Sequence, residues 1–253
     1  MESYNVTMPE LFPEGKRYNT FVGYYRRQYG ERLQKLVIDA GFTCPNRDGT
    51  VGRGGCSFCD NAAFHPSYST SGKSIAEQID EGIEFHQVRY RNTKHYLAYF
   101  QSYSNTYAPI PRLRELYLAA LTHPKIVGIV IGTRPDCVDE EKLDFLAGLK
   151  AGEGLGDWHR DGFEHPVVKV EYGIESCYDE TLLRVGRGHD VAVAEKAVRM
   201  SAERELEPGA HFILGLPGET REMLLGQCRF ISSLPLHSVK FHQLQIVKGT
   251  RME

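Results

Sequence analysis

The hydrophobic residues of this chain fall into two alternating patterns. Short runs rich in Val, Ile and Leu, such as residues 125–132 and 209–214, are typical of buried parallel strands. Between these runs, apolar residues recur every three or four positions, as they do in amphipathic helices. The pattern predicts six strands, over residues 33–40, 94–101, 125–132, 167–173, 209–214 and 239–247. It predicts helices over residues 20–32, from a capping box at residue 74 onward, and over residues 109–122, 140–150, 179–185, 191–204 and 220–233.

This alternation predicts an α/β fold in which helices pack around a parallel sheet. Right-handed crossovers would curve six such strands into an incomplete barrel. We expect a single domain over residues 1–253, because one α/β domain of this length is common. Residues 1–32 are interpreted as an N-terminal extension. Residues 151–165 are interpreted as a surface insertion, which we expect to bury little because it is rich in glycine and charged residues.

Three cysteines, Cys44, Cys56 and Cys59, lie in one loop directly after the first predicted strand. Eleven residues separate Cys44 from the Cys-x-x-Cys pair, and glycines at positions 49, 52, 54 and 55 are expected to adopt the positive φ values that let a backbone wrap a compact inorganic group. Thiolates prefer soft metals and iron–sulfur clusters, whereas structural zinc normally has four ligands. The loop therefore predicts a three-thiolate cluster site, with a zinc knuckle or unliganded thiols as the alternatives.

The cysteine loop, with its Pro-Asn-Arg-Asp-Gly sequence, resembles the cluster-binding loop of radical S-adenosylmethionine (SAM) enzymes. The long gap after Cys44 is similar to that of the YhcC/YtqA-type proteins, which are related to the radical SAM domain of the Elongator catalytic subunit. The resemblance extends from about residue 15 to residue 250. Its supporting motifs are Gly132-Thr133-Arg134-Pro135-Asp136, Glu171-Tyr172-Gly173-Ile174-Glu175-Ser176, Arg187-Gly188-His189 and Gly215-Leu216-Pro217-Gly218-Glu219.

The resemblance implies a partial (β/α)6 barrel of the radical SAM type, with a [4Fe–4S] cluster on Cys44, Cys56 and Cys59. It implies an enzyme that reductively cleaves SAM to a 5′-deoxyadenosyl radical, and an electron donor such as flavodoxin or ferredoxin. Because the Elongator subunit acts on the wobble uridine of tRNA, the resemblance also makes tRNA the first candidate substrate. The alternative is an iron–sulfur electron-transfer or sensing protein without SAM chemistry.

The fourth predicted strand carries charged residues with a period of two. Lys169, Glu171, Gly173 and Glu175 share one face, and the opposite face is apolar and must contact the helices. The charged face therefore points into the lumen, where SAM could supply hydroxyl and ammonium partners. Glu171 and Glu175 are candidate SAM contacts. The alternative is a Lys169–Glu171 ion pair with a packing role.

Two further candidates depend on the resemblance. Gln101 ends the second predicted strand, where many radical SAM enzymes have a Gly-Gly-Glu-like motif that binds the SAM amino group, and here the side-chain oxygen of Gln101 would replace it. Ile213, on the fifth strand, would pack near the adenine ring.

Polar residues at the ends of the third and sixth strands complete the candidate site. Thr133 and Arg134 follow the third strand. Arg134 either holds a carboxylate or phosphate group or forms a salt bridge with Asp136. The sixth strand is unusually polar for a central strand, which places some of its residues against the substrate: Lys240, His242, Gln243 and Gln245.

Composition narrows the class of protein. A net charge of −3 gives no global polycation for non-specific nucleic-acid binding. We find no apolar run long enough to span a bilayer and no signal-peptide pattern. Six cysteines, half of them in one loop, indicate a reducing cytoplasm rather than a disulfide framework. The remaining three, at positions 137, 177 and 228, are expected to be buried thiols.

Two features near the ends of the chain each allow two interpretations. Residues 24–29, Tyr-Tyr-Arg-Arg-Gln-Tyr, could stack on and clamp RNA, or could form one amphipathic helix. The chain ends soon after the sixth predicted strand, where members of the family typically continue, so that either the protein is short or the sequence is truncated.

The cysteine loop generates a first prediction. Anaerobically purified protein should contain about four irons and four sulfides per chain and show a broad visible absorption band. The Cys56→Ala variant should lose both, because two thiolates do not retain a cubane. Stoichiometric zinc in place of iron after anaerobic reconstitution would contradict the prediction.

Overall fold

A computed structural model describes residues 17–253, so the first half of the predicted N-terminal extension, residues 1–16, lies outside the described residues. Six parallel strands form one sheet in the consecutive order β1 to β6, an α/β half-barrel. The strands are β1 (Gln34–Ile38), β2 (Tyr96–Phe100), β3 (Ile126–Thr133), β4 (Val167–Glu175), β5 (Gly209–Leu214) and β6 (Ser238–Gln243). The α-helices in residues 17–253 are α1 (Phe21–Tyr29), α2 (Pro45–Asp48), α3 (Ile75–Gln87), α4 (Ile110–Leu121), α5 (Glu140–Lys150), α6 (Asp179–Arg184), α7 (Val191–Glu203) and α8 (Arg221–Ser233).

The predicted fold class is confirmed, and most element boundaries agree with the pattern to within two residues. Helix α3 begins at the predicted capping box, in which Ser74 and Glu77 satisfy each other's backbone amides. Two strands differ from the prediction. Strand β6 ends four residues early, and β4 runs two residues further than predicted, with a register shift between Gly173 and Glu175.

The main core lies between the sheet and the helices. It includes the apolar residues that alternate along β4, namely Val168, Val170, Tyr172 and Ile174, each at most 1% exposed. The opposite face of β4 points into the lumen, which confirms the predicted register over this part of the strand. The lumen therefore has a polar wall that the helices do not cover.

A second apolar cluster closes the amino end of the lumen. Tyr25 of α1 and Phe163, which lies just before β4, are 0% and 5% exposed and belong to this cluster. Trp158 packs against the same cluster and donates from Nε1 to the carbonyl of Leu121 at 2.9 Å. The expectation that residues 151–165 bury little is therefore wrong for Phe163. Its ring stacks on that of Tyr29 in α1, which is far away in the sequence.

Residues 24–29 lie in helix α1, which is the amphipathic helix considered as one of two alternatives for them. The ring of Tyr25 contacts those of Tyr24 and Tyr29. Tyr24 also contacts the ring of His237, and Tyr29 stacks on Phe163. These tyrosines lie at the amino ends of the strands, opposite the cysteine loop. Among the described residues, we also find no helix with the length and apolar character needed to cross a membrane.

The buried position of Phe163 leads to a stability prediction. Phe163→Ala should lower the free energy of unfolding by about 3 kcal/mol, because it leaves a cavity beside Tyr29, whose ring centroid is 4.8 Å away. Phe85→Ala, at a side chain that is 53% exposed, is the matched control and should change it by less than about 1 kcal/mol. Urea unfolding of both variants measures the difference, and equal effects would show that residues 151–165 are not part of the cooperative core.

Candidate active site

A cavity of about 670 Å³ opens at the carboxyl ends of the strands. Cys44, Cys56 and Cys59 line it on one side. The same cavity is lined by every residue predicted to bind the cofactor: Gln101, Thr133, Arg134, Glu171, Glu175 and Ile213. It is also lined by the four polar residues predicted around the sixth strand: Lys240, His242, Gln243 and Gln245. The tertiary structure thus gathers residues from five strands and the cysteine loop around one space.

The cysteine loop folds back on the short helix α2. The carbonyl of Pro45 accepts from the amides of Val51 and Gly52, and that of Asn46 accepts from Gly55 at 2.8 Å. Gly54 and Gly55 have φ values of +80° and +81°, as the sequence predicted for loop glycines. Gly52 does not adopt a positive φ; it is needed because a Cβ there would collide with the side chain of Asn46.

Three side chains direct N–H groups at the cysteine sulfurs. Asn46 Nδ2 and Arg187 Nη1 each lie 3.5 Å from Cys56 Sγ. Arg47 Nη2 lies 3.7 Å from Cys59 Sγ. Burial raises the pKa of the Cys59 thiol, and the hydrogen bond from Arg47 lowers it in part. Such donors stabilise sulfur that carries negative charge, as a metal-bound thiolate does.

This donor set fits an iron–sulfur cluster. All three cysteines are free, and Cys56, the most buried of them, receives two N–H donors. Within residues 17–253, no group of three His, Cys, Asp or Glu side chains converges on the position of a single metal ion. Cluster thiolates do not need to converge, because each binds a different iron of the cubane.

Arg187 is the site residue that sequence reasoning missed. It is 7% exposed, donates to the carbonyl of Gly173 and lies 3.8 Å from a carboxylate oxygen of Glu175. Burial alone would lower its pKa, but the neighbouring charges of Cys56 and Glu175 raise it, so that the guanidinium keeps its charge. Its Nε is buried without a hydrogen-bond partner in the described part of the chain. The sequence offered only the Arg-Gly-His motif, since Arg187 and Cys56 are 131 positions apart.

Glu175 ends β4 in a strained conformation. Its φ is +73°, a left-handed value that costs a non-glycine residue about 1–3 kcal/mol. The strain coincides with the register shift between β4 and β5, after which the Glu175 side chain lines the cavity beside Arg187. Tyr103, another cavity residue, has a φ of +62°. Two of the four non-glycine residues with positive φ in residues 17–253 thus line the cavity, and the other two, Glu205 and Glu207, lie before β5.

Glu171 lies deeper in the lumen and already has two partners. Lys35 of β1 forms an ion pair with Oε1, and His211 Nε2 of β5 lies 3.0 Å from Oε2. Burial alone would raise the pKa of Glu171, but the hydrogen bond from His211 and the charge of Lys35 bring it below its ordinary range. Its predicted contact with SAM stays a prediction.

Lys169 does not form the ion pair with Glu171 that the sequence left open. It pairs with Glu207 at 2.6 Å and lies over the rings of Tyr24 and Tyr25, at 4.7 and 5.0 Å from their centroids. Although it faces the lumen, it lies below the cavity and does not line it. The alternative of a Lys169–Glu171 ion pair is therefore wrong, because α1 and the chain before β5 supply other partners for Lys169.

Residues at the end of β3 and directly after it form hydrogen bonds with the rest of the protein. Arg134 donates to both carboxylate oxygens of Asp136, at 2.8 and 2.6 Å, and to the carbonyl of Arg187 at 2.7 Å. This is the salt-bridge alternative of the two interpretations. Thr133 shares a hydrogen bond with Thr106 at 2.6 Å. Of the remaining cysteines, Cys137 is buried as expected, Cys177 is half-buried and Cys228 is exposed, which corrects the expectation for the last.

The half-barrel with a cysteine loop at its mouth defines an α/β half-barrel protein with a candidate iron–sulfur site. A family model, the Radical SAM superfamily, matches residues 44–231, and the chain belongs to this superfamily. Membership implies the use of SAM and an iron–sulfur cluster. The chain is 40% identical to Protein YhcC of Escherichia coli (strain K12) over 238 residues, which cover 94% of this chain and 71% of the relative. The resemblance to YhcC/YtqA-type proteins is thereby confirmed.

Two further similarities are partial. The chain is 28% identical to the tRNA uridine(34) acetyltransferase of Methanocaldococcus infernus over 131 residues, which cover 51% of this chain and 22% of that protein. The solved structure of archaeal Elp3 from Methanocaldococcus infernus with an N-terminal deletion superposes with a TM-score of 0.56 at 19% identity, covering 87% of this chain and 47% of that one. The structural similarity supports the fold.

The pKa of Glu171 generates a prediction on stability. Because folding lowers this pKa, the ionised carboxylate stabilises the fold at neutral pH, and the contribution is lost as the pH falls below the unfolded-state value. The difference in unfolding free energy between the parent and Glu171→Gln should shrink from pH 7 to pH 3, by up to about 1.4 kcal/mol per pH unit below about 4.3. Urea unfolding measures it. Glu195→Gln, which removes an exposed helical ion pair, is the control and should show little pH-dependent difference. A constant difference for Glu171→Gln would contradict the low pKa.

Proposed function

We propose that this protein is a radical SAM enzyme that holds a [4Fe–4S] cluster on Cys44, Cys56 and Cys59 and binds SAM in the 670 Å³ cavity. The observation that carries the proposal is that the three cysteines and the polar lumen wall line the same space. When bound, the cluster would supply the electron that cleaves SAM into methionine and a 5′-deoxyadenosyl radical. An electron donor such as flavodoxin or ferredoxin would have to reduce it.

The residues around the cysteines would set the charge of the cluster site. Asn46, Arg47 and Arg187 direct N–H groups at the sulfurs of Cys56 and Cys59. Hydrogen bonds to cluster sulfurs are one of the factors that set the reduction potential. The two guanidinium groups would offset the negative charge of three thiolates and make the site easier to reduce.

The amino-acid end of SAM would meet Arg187 and Glu175. Arg187 lines the cavity with a charged guanidinium, and a carboxylate would pair with it. Glu175 lines the cavity beside Arg187 and would accept from the ammonium group. Gln101 and Ile213, which also line the cavity, remain proposed contacts for the amino group and the adenine ring. The role of this chain would then be to orient SAM and exclude water from the radical.

The alternative function is an electron carrier or sensor without SAM chemistry. A cavity of 670 Å³ that is lined by the cysteines and by charged residues such as Glu175 and Arg187 favours the enzyme, because a carrier has no need of a binding space. Adding SAM to the reduced, cluster-loaded protein distinguishes the two. An enzyme releases 5′-deoxyadenosine, whereas a carrier leaves SAM intact.

For the substrate, we propose tRNA. The partial similarity to a tRNA uridine(34) acetyltransferase supports this substrate class. Exposed arginines also lie next to the cysteine loop. Arg251 donates to the carbonyl of Gly55, and Arg184 donates to the carbonyl of Pro217 at 2.6 Å, while Arg53 lies within the loop. Guanidinium groups at a cavity mouth suit a phosphate backbone.

The substrate proposal is tested by anaerobic incubation with SAM, a reductant and bulk tRNA, followed by mass spectrometry of the nucleosides. A new or altered nucleoside that requires both SAM and the intact Cys56 supports it. Release of 5′-deoxyadenosine without any change in the tRNA would overturn the substrate and leave the SAM chemistry standing. The double variant Arg184→Glu, Arg251→Glu should weaken tRNA binding and flatten its salt dependence, whereas Arg26→Glu on α1, at the opposite end of the barrel, should not.

The lumen wall leads to a prediction on SAM affinity. At least one of Glu171→Gln and Glu175→Gln should weaken SAM binding by about ten- to a hundredfold, because a hydrogen bond to a charged group contributes about 1.5–3 kcal/mol. Glu175 is the stronger candidate, since Glu171 already has Lys35 and His211 as partners. Equilibrium binding of SAM to anaerobic protein measures this, with an unchanged visible cluster spectrum as the control. If both variants bind SAM like the parent, β4 does not contact the cofactor.

A further inference from the structure

Four side chains form a continuous polar network across the lumen. Lys35 of β1 pairs with Glu171 of β4, and the other Glu171 oxygen lies 3.0 Å from Nε2 of His211 on β5. Nδ1 of His211 lies 3.4 Å from Nε2 of His242 on β6. Glu171, His211 and His242 all line the cavity, and His242 is the end of the network. Its Nδ1 has no hydrogen-bond partner in the part of the chain that the structure describes.

The network has a direction. A carboxylate can only accept, so Nε2 of His211 must carry a proton to bind Glu171. In a neutral His211, Nδ1 is then an acceptor, and it must receive its hydrogen bond from Nε2–H of His242. A neutral His242 with a proton on Nε2 has none on Nδ1. With both imidazoles neutral, the chain of contacts therefore leaves the unprotonated Nδ1 of His242 as its last atom.

The charges around His242 keep it neutral. Burial and the neighbouring Lys240 and His211 together lower its pKa to about 4, and Glu171 offsets only part of this. The other ionisable groups that line this part of the lumen are Tyr99 of β2, whose pKa is raised by burial and by Glu171, and Lys35 of β1, which Glu171 holds. At neutral pH the imidazole is thus available as an acceptor.

We propose that Nδ1 of His242 accepts a hydrogen bond from an O–H or N–H group of the substrate, and that Glu171 and His211 are positioning residues that fix the tautomer needed for this. The proposal rests on the cavity being the site of the reaction. The proposal defines the chemistry of the substrate. The part that enters the lumen beside β6 presents a hydrogen-bond donor, such as a hydroxyl or an imide N–H. A group that has acceptors only is disfavoured. An acceptor opposite Nδ1 would leave both atoms without a hydrogen bond, so His242 favours a substrate that presents a donor.

The first test reads the tautomer directly. Anaerobic holoprotein labelled with 15N-histidine is analysed at pH 7 by long-range 1H–15N correlation, and His242 is assigned from the His242→Asn variant. We expect His242 as the neutral tautomer with its proton on Nε2. In His211→Phe, which removes the acceptor but keeps a ring, the tautomers of His242 should become mixed. A protonated His242, or a proton on Nδ1 in the parent protein, overturns the proposal whatever the substrate is.

The second test uses matched substitutions at the end of the network. Asn can place a side-chain oxygen close to the position of Nδ1, whereas Leu has no acceptor. The readout is the concentration of bulk tRNA that half-maximally changes 5′-deoxyadenosine release, normalised to the release of each variant without tRNA. His242→Leu should raise this concentration by about five- to a hundredfold, and His242→Asn by less than about fivefold. His237→Phe, at the opposite end of the barrel, is the control.

The outcomes separate this proposal from the proposed function. If Leu and Asn at position 242 have equal effects while the parent responds to tRNA, the acceptor role is wrong and the enzyme function stands. If the parent cleaves SAM but does not respond to tRNA, the substrate proposal is wrong, and the tautomer of His242 alone decides whether the acceptor exists. If no SAM is cleaved, the enzyme function fails, and with it the assignment of the cavity on which this proposal rests.

Discussion

The interior of a half-barrel must pair its own charges, and this constraint organises the lumen. An ionised carboxylate taken out of water without partners costs several kcal/mol, so the polar face of β4 can exist only where other elements supply countercharges. Glu171 is 8% exposed and holds Lys35 of β1 and His211 of β5. These contacts join strands from both halves of the sheet. They also define the lower boundary of the cavity, because the next polar pair, Lys169 with Glu207, is covered by α1.

Arg187 has the corresponding position at the mouth of the lumen. Its buried guanidinium contacts Cys56 of the loop, the carbonyl of Gly173 and the carboxylate of Glu175. One side chain therefore couples the position of the cysteine loop to the end of β4. The strained backbone of Glu175 lies in the same group of contacts, and the packing around Arg187 holds it in place. A site that must orient a cofactor against a cluster needs this kind of rigidity.

The two ends of the barrel have different physical characters. The carboxyl end is polar and open, with the cysteines, Arg187 and the two lumen histidines around one cavity. The amino end is closed by aromatic rings, including Tyr25 and Phe163. Closing that end removes a second entrance for water to the lumen. A radical formed at the other end, as proposed, would then be shielded from solvent on this side of the lumen.

The sequence by itself determined the alternation of strands and helices, the cysteine loop after β1 and the lumen-facing side of most of β4. Those features are written in short-range patterns: a period of two along β4, a capping box at Ser74 and a group of cysteines and glycines within one loop. Only the tertiary structure decided the partners. It assigned Lys169 to Glu207 rather than to Glu171, buried Phe163 in a segment that looks like an exposed insertion, and brought Arg187 to Cys56 from 131 positions away. Local periodicity fixes which way a side chain points, whereas its partner depends on which distant element arrives opposite it, and no short stretch of sequence contains that information.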